Sequence, residues 1–265
     1  MTSVDVSHSC RWQGQIVCMR AFGDTGVLLQ FANPAKNDAE RARELLEMAY
    51  QVECRADVSW QDVSLGYDEV LVIYNPVQTS LGTVCRGLCQ ALAEEKGRPT
   101  PRRALWDIPV RYGGVDGPDL EEVARCLEMD VDEVVRRHTE PTYLVRFLGF
   151  IGGFPYLDGL PASLAVPRRA TPRVAVPAGS VGIGGEQTGI YPHATPGGWQ
   201  LIGRTDWQLF DANRIPPALL SAGDLVRFHA VERGTSVAVH PPKRRSVTQP
   251  ASGECDADAD VGDGI

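Results

Sequence analysis

Arg168, Arg169 and Arg173 stand together in Pro167-Arg168-Arg169-Ala170-Thr171-Pro172-Arg173. Guanidinium groups at this spacing suit anion recognition, because each presents a planar fork of donors to a carboxylate or phosphate. The same residues equally fit a solvated patch or one paired with carboxylates. His138 ends a helical pattern over 131–138, where an imidazolium would also meet the helix dipole favourably. Gln187, Thr188 and Tyr191 lie among turn residues, and polar side chains in such places commonly satisfy nearby backbone groups. Trp199, after Pro196-Gly197-Gly198, reads as a core residue. His193 and His229 carry no clear signal.

Most of these residues fall in the stretch 149–205, which holds twelve Gly, seven Pro, four Arg and no Lys. Gly and Pro make up a third of it, against about 12% on average. Such composition usually accompanies disorder. Yet Phe150, Phe154, Tyr156, Tyr191 and Trp199 are interleaved with it. Glycine permits positive φ and close backbone approach, proline lowers the entropy lost on ordering a loop, and the aromatics give the loops something to bury. An ordered site built from turns is therefore the expectation. The residues by themselves specify no reaction.

Ile16–Phe22 and Val27–Phe31 flank the turn signal Gly23-Asp24-Thr25-Gly26. Asn37–Gln51 and Ser80–Lys96 show apolar residues at helical spacing, and Val70–Tyr74 reads as a short strand. The segment GRPTPRRA marks a linker. Beyond it come a strand at Asp107–Tyr112 and a helix from Pro118 to about Leu127. A helix over 131–138 follows, with Asp130 and Glu133 at capping-box spacing, and then a strand at Tyr143–Leu148. Short apolar runs at 180–183, 199–202 and 225–228 between turn residues point to a barrel or sandwich. The pattern predicts an α+β protein: a flexible leader over 1–13, a small α+β domain over 14–97, a linker over 98–104, a barrel or sandwich domain over 105–240 and a disordered tail over 241–265.

Several function classes are excluded or disfavoured. None of the three Lys is followed by Ser or Thr, so no GxxxxGK[ST] phosphate loop exists. Gly182-Ile183-Gly184 begins like a dinucleotide loop, but no helical pattern follows it. GxSxG and HExxH are absent. A net charge of −8 argues against nucleic-acid binding. No long apolar run suggests a membrane span, and the polar N-terminus does not resemble a secretory signal. The seven Cys have irregular spacing, which fits free thiols in a reducing cytoplasm better than disulfides or zinc ligands.

The strings GFIGGFPYLDGL, PRRATPRVAVPAGSVGIGGEQTGIYP and PGGWQLIGRT closely resemble one family. It is the family of the 5-oxoprolinase B subunit, also known as allophanate hydrolase subunit 1 or the kinase-inhibitor KipI family. The resemblance extends through Gly117-Pro118-Asp119-Leu120 and Ala222-Gly223-Asp224-Leu225-Val226-Arg227-Phe228, covering about residues 14–230. It implies that the second domain is a cyclophilin-like β-barrel. It also implies a protein that opens 5-oxoproline to L-glutamate, driven by ATP and Mg2+. The C-type and A-type 5-oxoprolinase subunits would be its partners, with ATP bound by this chain or by a partner. On that reading His138 is the proton-transfer candidate, Arg168 and Arg169 hold the anion, and Gln187 and Tyr191 orient substrate. The resemblance leaves two alternatives: a carboxyltransferase-type component of urea metabolism and a non-enzymatic inhibitor of a sensor histidine kinase. Relatives typically have Pro where this chain has Gly152.

Overall fold

The computed structural model describes residues 8–34, 37–55, 60–94, 103–232 and 245–247. The first unit contains β1 (His8–Trp12), β2 (Gln15–Phe22), β3 (Gly26–Phe31), α1 (Asp38–Glu53), β4 (Trp60–Leu65), β5 (Val70–Tyr74) and α2 (Leu81–Ala93). Its strands form an antiparallel sheet in the order β1-β2-β3-β5-β4. The β2–β3 hairpin turns at Gly23, whose φ of +59° is open to glycine at little cost. Asn37 caps α1 by accepting the Glu40 N–H at 2.8 Å, and Ser80 caps α2 by accepting the Thr83 N–H at 3.3 Å. The apolar faces of both helices, including Leu45, Met48, Val84 and Leu88, close over the sheet.

β1 lies inside the segment expected to be a leader. Trp12 is buried, and its indole N–H donates to Gln51 Oε1 at 2.8 Å. That bond joins β1 to α1 through a residue too polar to be read as core. The rest of the expected leader, 1–7, lies outside the described residues.

The second unit opens with β6 (Arg103–Tyr112), α3 (Leu120–Cys126), α4 (Val131–Thr139), β7 (Tyr143–Leu148) and β8 (Pro155–Asp158). It continues with β9 (Arg173–Val176), β10 (Ser180–Gly184), β11 (Gln187–Ile190), β12 (Thr195–Gly197), β13 (Gln200–Arg204), β14 (Leu225–Ala230) and β15 (Arg245–Val247). Strands β13-β10-β11-β8-β7-β14-β6 run side by side, and β13 pairs back onto β6 to close a barrel of seven strands. Inward side chains such as Ile108, Val145, Leu157, Ile183 and Val226 fill it. Asp224, fully buried, pins the start of β14 to that of β6: it accepts the Ala104 N–H, the Trp106 indole N–H and the Ser221 N–H. Strands β9 and β12 make a separate two-stranded ribbon.

The α+β class and the barrel expected from the sequence are both observed. Two further boundaries and one cap differ. β6 begins at Arg103, inside the expected linker, with Ala104 buried. Arg245–Val247 pairs with β6 inside the expected tail, where a free edge of β6 receives it; the remainder of 241–265 lies outside the described residues. The capping box at Asp130 is not made, because Glu133 turns instead to Arg136 and Arg137.

The two units are latched by Arg146 on β7. Its guanidinium, 2% exposed, donates to Asp158 Oδ2 at 2.8 Å and to the Tyr67 carbonyl at 2.9 Å, and lies 3.7 Å from the Tyr67 ring centre.

Candidate functional site

Alternation along the barrel strands creates a second hydrophobic layer on the outside. On β8, Leu157 points into the barrel, while Tyr156 points out with neighbouring Phe154. Phe154, Val176, Tyr191, Trp199 and Leu201 pack as one cluster there. Phe154 meets Trp199 edge-on at 5.3 Å and Tyr191 at 5.1 Å. Two glycines make room. A Cβ on Gly184 would lie 2.6 Å from the Trp199 ring, and one on Gly197 would lie 2.6 Å from Tyr191 Oη. The Gly- and Pro-dense stretch is thus ordered chain wrapped around aromatic rings. It encloses a cleft of 280 Å3 whose walls include Phe150, Tyr156, Arg168, Arg169, Pro172 and Trp199.

The cleft is apolar with positive charge at its wall. The Arg168 guanidinium lies 5.7 Å from the Trp199 ring centre and has no carboxylate partner among the described residues. Burial raises the phenol pKa of Tyr156 and of Tyr191, and the Arg168 charge opposes the rise in both. Arg169 also faces the cleft, but its Nη1 donates to Asp119 Oδ1 at 3.1 Å. Arg173 Nη2 donates to the same oxygen at 2.6 Å, and the Leu201 N–H donates to Oδ2 at 2.6 Å. Asp119, only 6% exposed, therefore ties the 167–173 loop to β13.

His138, expected to transfer protons, lies away from the cleft. The ring is fully buried inside the barrel, stacked on Phe228 at 4.8 Å, while the cleft is outside. Thr188 spends its hydroxyl proton on the Gly182 carbonyl at 2.9 Å. His138 Nε2–H must then donate to Thr188 Oγ1 at 3.0 Å, leaving Nδ1 to accept the Tyr112 hydroxyl at 2.8 Å. Both ring nitrogens are satisfied in the neutral form, and burial takes the pKa down to about 3. This histidine is a structural member of the core.

Of the other expected site residues, Arg168, Arg169 and Tyr191 come together at the cleft. Tyr191 is a wall rather than a free acid: it is 2% exposed, and the nearby Trp199 backbone only partly offsets the rise in its pKa that burial causes. Gln187 does not line the cleft. It sits opposite Gly184 in the β10–β11 ladder, so it shares the sheet face that carries Trp199, and its Nε2 is buried with no hydrogen-bond partner.

Sequence reasoning missed Asp119 and Phe150. Asp119 falls in the first turn of the expected helix from Pro118, and its partners lie 50 to 82 residues away. Phe150 holds a left-handed backbone, φ +67°, and is 63% exposed at the cleft mouth. Such a conformation costs a non-glycine residue roughly 1–3 kcal/mol. A larger hollow of 590 Å3 lies between the two units, but its walls carry no cation.

Residues 17–220 match the family described as carboxyltransferase domain, subdomain C and D. The chain belongs to this family. Among curated proteins it is 45% identical over 205 residues to the 5-oxoprolinase B subunit of Haemophilus influenzae, covering 77% of this chain and 93% of that protein. It is 42% identical over 217 residues to the 5-oxoprolinase B subunit of Escherichia coli O157:H7, covering 80% of this chain and 95% of that one. Among solved structures, TTHA0988 superposes with a TM-score of 0.66 at 37% identity, covering 78% of this chain and 40% of that chain. The Kluyveromyces lactis urea carboxylase shares the fold at 20% identity, with a TM-score of 0.64, over 85% of this chain and 23% of that one. Within this carboxyltransferase-domain chain, the Gly- and Pro-rich motif strings converge on one place: Phe150, Arg168, Tyr191 and Trp199 all border the cleft. At Gly152 an added Cβ would lie 3.0 Å from the Phe210 ring, so the loop here packs against Phe210.

Proposed function

We propose that this chain is the B subunit of a cytoplasmic, ATP-dependent 5-oxoprolinase and works with C-type and A-type partner subunits. The observation that carries the reading is Arg168: a guanidinium without a carboxylate partner, set over Trp199 in an aromatic cleft. The relatives that carry the 5-oxoprolinase name support it, being matched over nearly their whole length. A cleft of this kind suits a small ring bearing one carboxylate. The ring lies against Tyr156 and Trp199, and the carboxylate meets Arg168 in a charge-assisted hydrogen bond.

ATP with Mg2+ does not fit the cleft as this chain builds it. Arg169 and Arg173 are engaged with Asp119, and no cluster of acidic side chains able to hold a metal ion occurs among the described residues. We assign ATP to a partner protein. The likeness to urea carboxylase, at 20% identity, is one of fold and carries no substrate. Neither urea metabolism nor kinase inhibition is favoured by a specific feature of the site.

The test is 5-oxoproline-dependent release of ADP and glutamate by the chain together with its partners. Replacing Arg168 by Ala removes a charge-assisted bond, so KM for 5-oxoproline should rise roughly 10–100-fold. An unchanged KM would remove Arg168 from the substrate site.

A further inference from the structure

Beside the cleft, a strand edge is left uncovered by the described residues. β9 pairs with β12 on one side, and no strand lies on its other side among the described residues. Its central residues, Val174 and Ala175, are both exposed, Val174 to 88%. Free edges are normally blunted by charges, prolines or bulges. Here Pro172 and Pro177 limit the edge in length, but the sequence between them, Arg-Val-Ala-Val, puts no charge outward at its centre. The one charged member, Arg173, turns away to Asp119. Phe150 stands exposed at the mouth of the same cleft in its left-handed backbone. Its ring meets Phe154 at 5.8 Å and is otherwise largely bare.

The charges are unbalanced at this edge. Arg169 and Arg173 share the single carboxylate of Asp119, and Arg173 Nη1 is buried without a partner. In space, Arg168, Arg169 and Arg173 gather here against Asp119 and Glu122, in a chain whose net charge is −8. The rim is thus locally positive on an acidic protein.

We infer that β9 is the docking edge for an extended, acidic segment of the C-type partner. The segment adds as a strand to β9, covers Val174 with an apolar side chain, and brings a carboxylate to the Arg169–Arg173 pair. Phe150 lines the same cleft as Pro172, which immediately precedes β9, and the partner covers it as well; Arg168 stays free for substrate. This rests on the composite-enzyme reading above and adds where the partner sits.

The experiment measures binding of the full chain to its separately purified C-type partner, without substrate or ATP, together with amide hydrogen exchange. Val174→Glu and Phe150→Ser are compared with Val115→Glu, at a residue 89% exposed in the β6–α3 connection. All three are surface changes, and melting temperatures check folding. Val174→Glu and Phe150→Ser are each expected to weaken binding about tenfold or more, Val115→Glu not at all. Binding should weaken with salt, and the amides of 173–175 should gain protection in the complex. Wild-type affinity in both rim variants, or protection that avoids β9, overturns the inference while leaving the composite enzyme standing. Failure of the wild-type chain to bind the partner overturns both. A dimer of the chain alone that Val174→Glu breaks makes the occupant a second copy and overturns the assignment to a partner.

Discussion

His138 shows how completely a core can settle the state of one titratable residue. The chain Tyr112–His138–Thr188–Gly182 uses every donor and acceptor of the neutral ring. Protonation would put a second N–H where Tyr112 already donates, in a site that water does not reach. Its folded pKa of about 3 lies below the value of about 6.5 expected when unfolded. Between these values the unfolded state binds the extra proton. Stability is therefore fully present above about pH 6.5 and falls as the pH drops toward 3, by about 1.4 kcal/mol per pH unit from this group. His138→Gln should be less stable at pH 7.5, yet lose less of its remaining stability between pH 7 and 5. Urea unfolding at several pH values measures this; parallel pH profiles would refute the account. Asp119 makes the complementary case. Removing it frees two partly exposed guanidiniums and strands the Leu201 N–H, and loss of such a hydrogen-bonded charge costs about 1–3 kcal/mol. Asp119→Ala should show that loss in urea unfolding and should loosen the 167–173 loop to proteases. A stable, protease-resistant variant would mean the loop is held otherwise.

At the scale of elements, the 149–205 stretch holds its shape because small residues let rings approach the backbone. Gly184→Ala forces a methyl to within 2.6 Å of the Trp199 ring, and over-packing of this kind costs roughly 1–3 kcal/mol. The expected result is a changed near-ultraviolet dichroism of Trp199 and poorer 5-oxoproline binding, with the barrel still folded. An unaltered spectrum would show that Trp199 is free to move. The same glycines explain what could be read in advance. Val70–Tyr74, with its unbroken apolar run, was legible to the residue, and α1 and α2 nearly so. β8, β9, β11 and β12 were not, since they contain or abut Pro155, Pro172, Gly189 and Pro196, which read as turns. β4 was hidden for a different reason: WQDVSL is half exposed along one sheet edge and offers little apolar signal. The Arg pair of the cleft was legible because guanidinium chemistry is explicit in residue type. The split between free Arg168 and tethered Arg169 was not, because it depends on Asp119 fifty residues upstream.

At the scale of the whole molecule, the question is whether this chain can turn over substrate unaided. Its latch through Arg146, Asp158 and Tyr67 makes the N-terminal unit a brace for β7 and β8, but adds no reactive group to the cleft. The cleft itself supplies one free cation and aromatic walls. His138 is sealed away, and Tyr191 is buried against Trp199. Opening a lactam at neutral pH requires proton transfer and stabilisation of developing charge, and handling ATP requires phosphate charge to be neutralised by several donors and Mg2+. Neither set is present at the cleft among the described residues. The purified chain alone should therefore bind 5-oxoproline weakly and release no ADP or glutamate above background. Addition of the C-type partner should tighten binding, and turnover should appear only with the complete set of partners. Isothermal titration of the chain with 5-oxoproline, followed by the coupled ADP assay as partners are added one at a time, separates these stages. Substantial turnover by the single chain, free of contaminating partners, would mean that the reacting groups lie within it and that the cleft has been assigned too small a part.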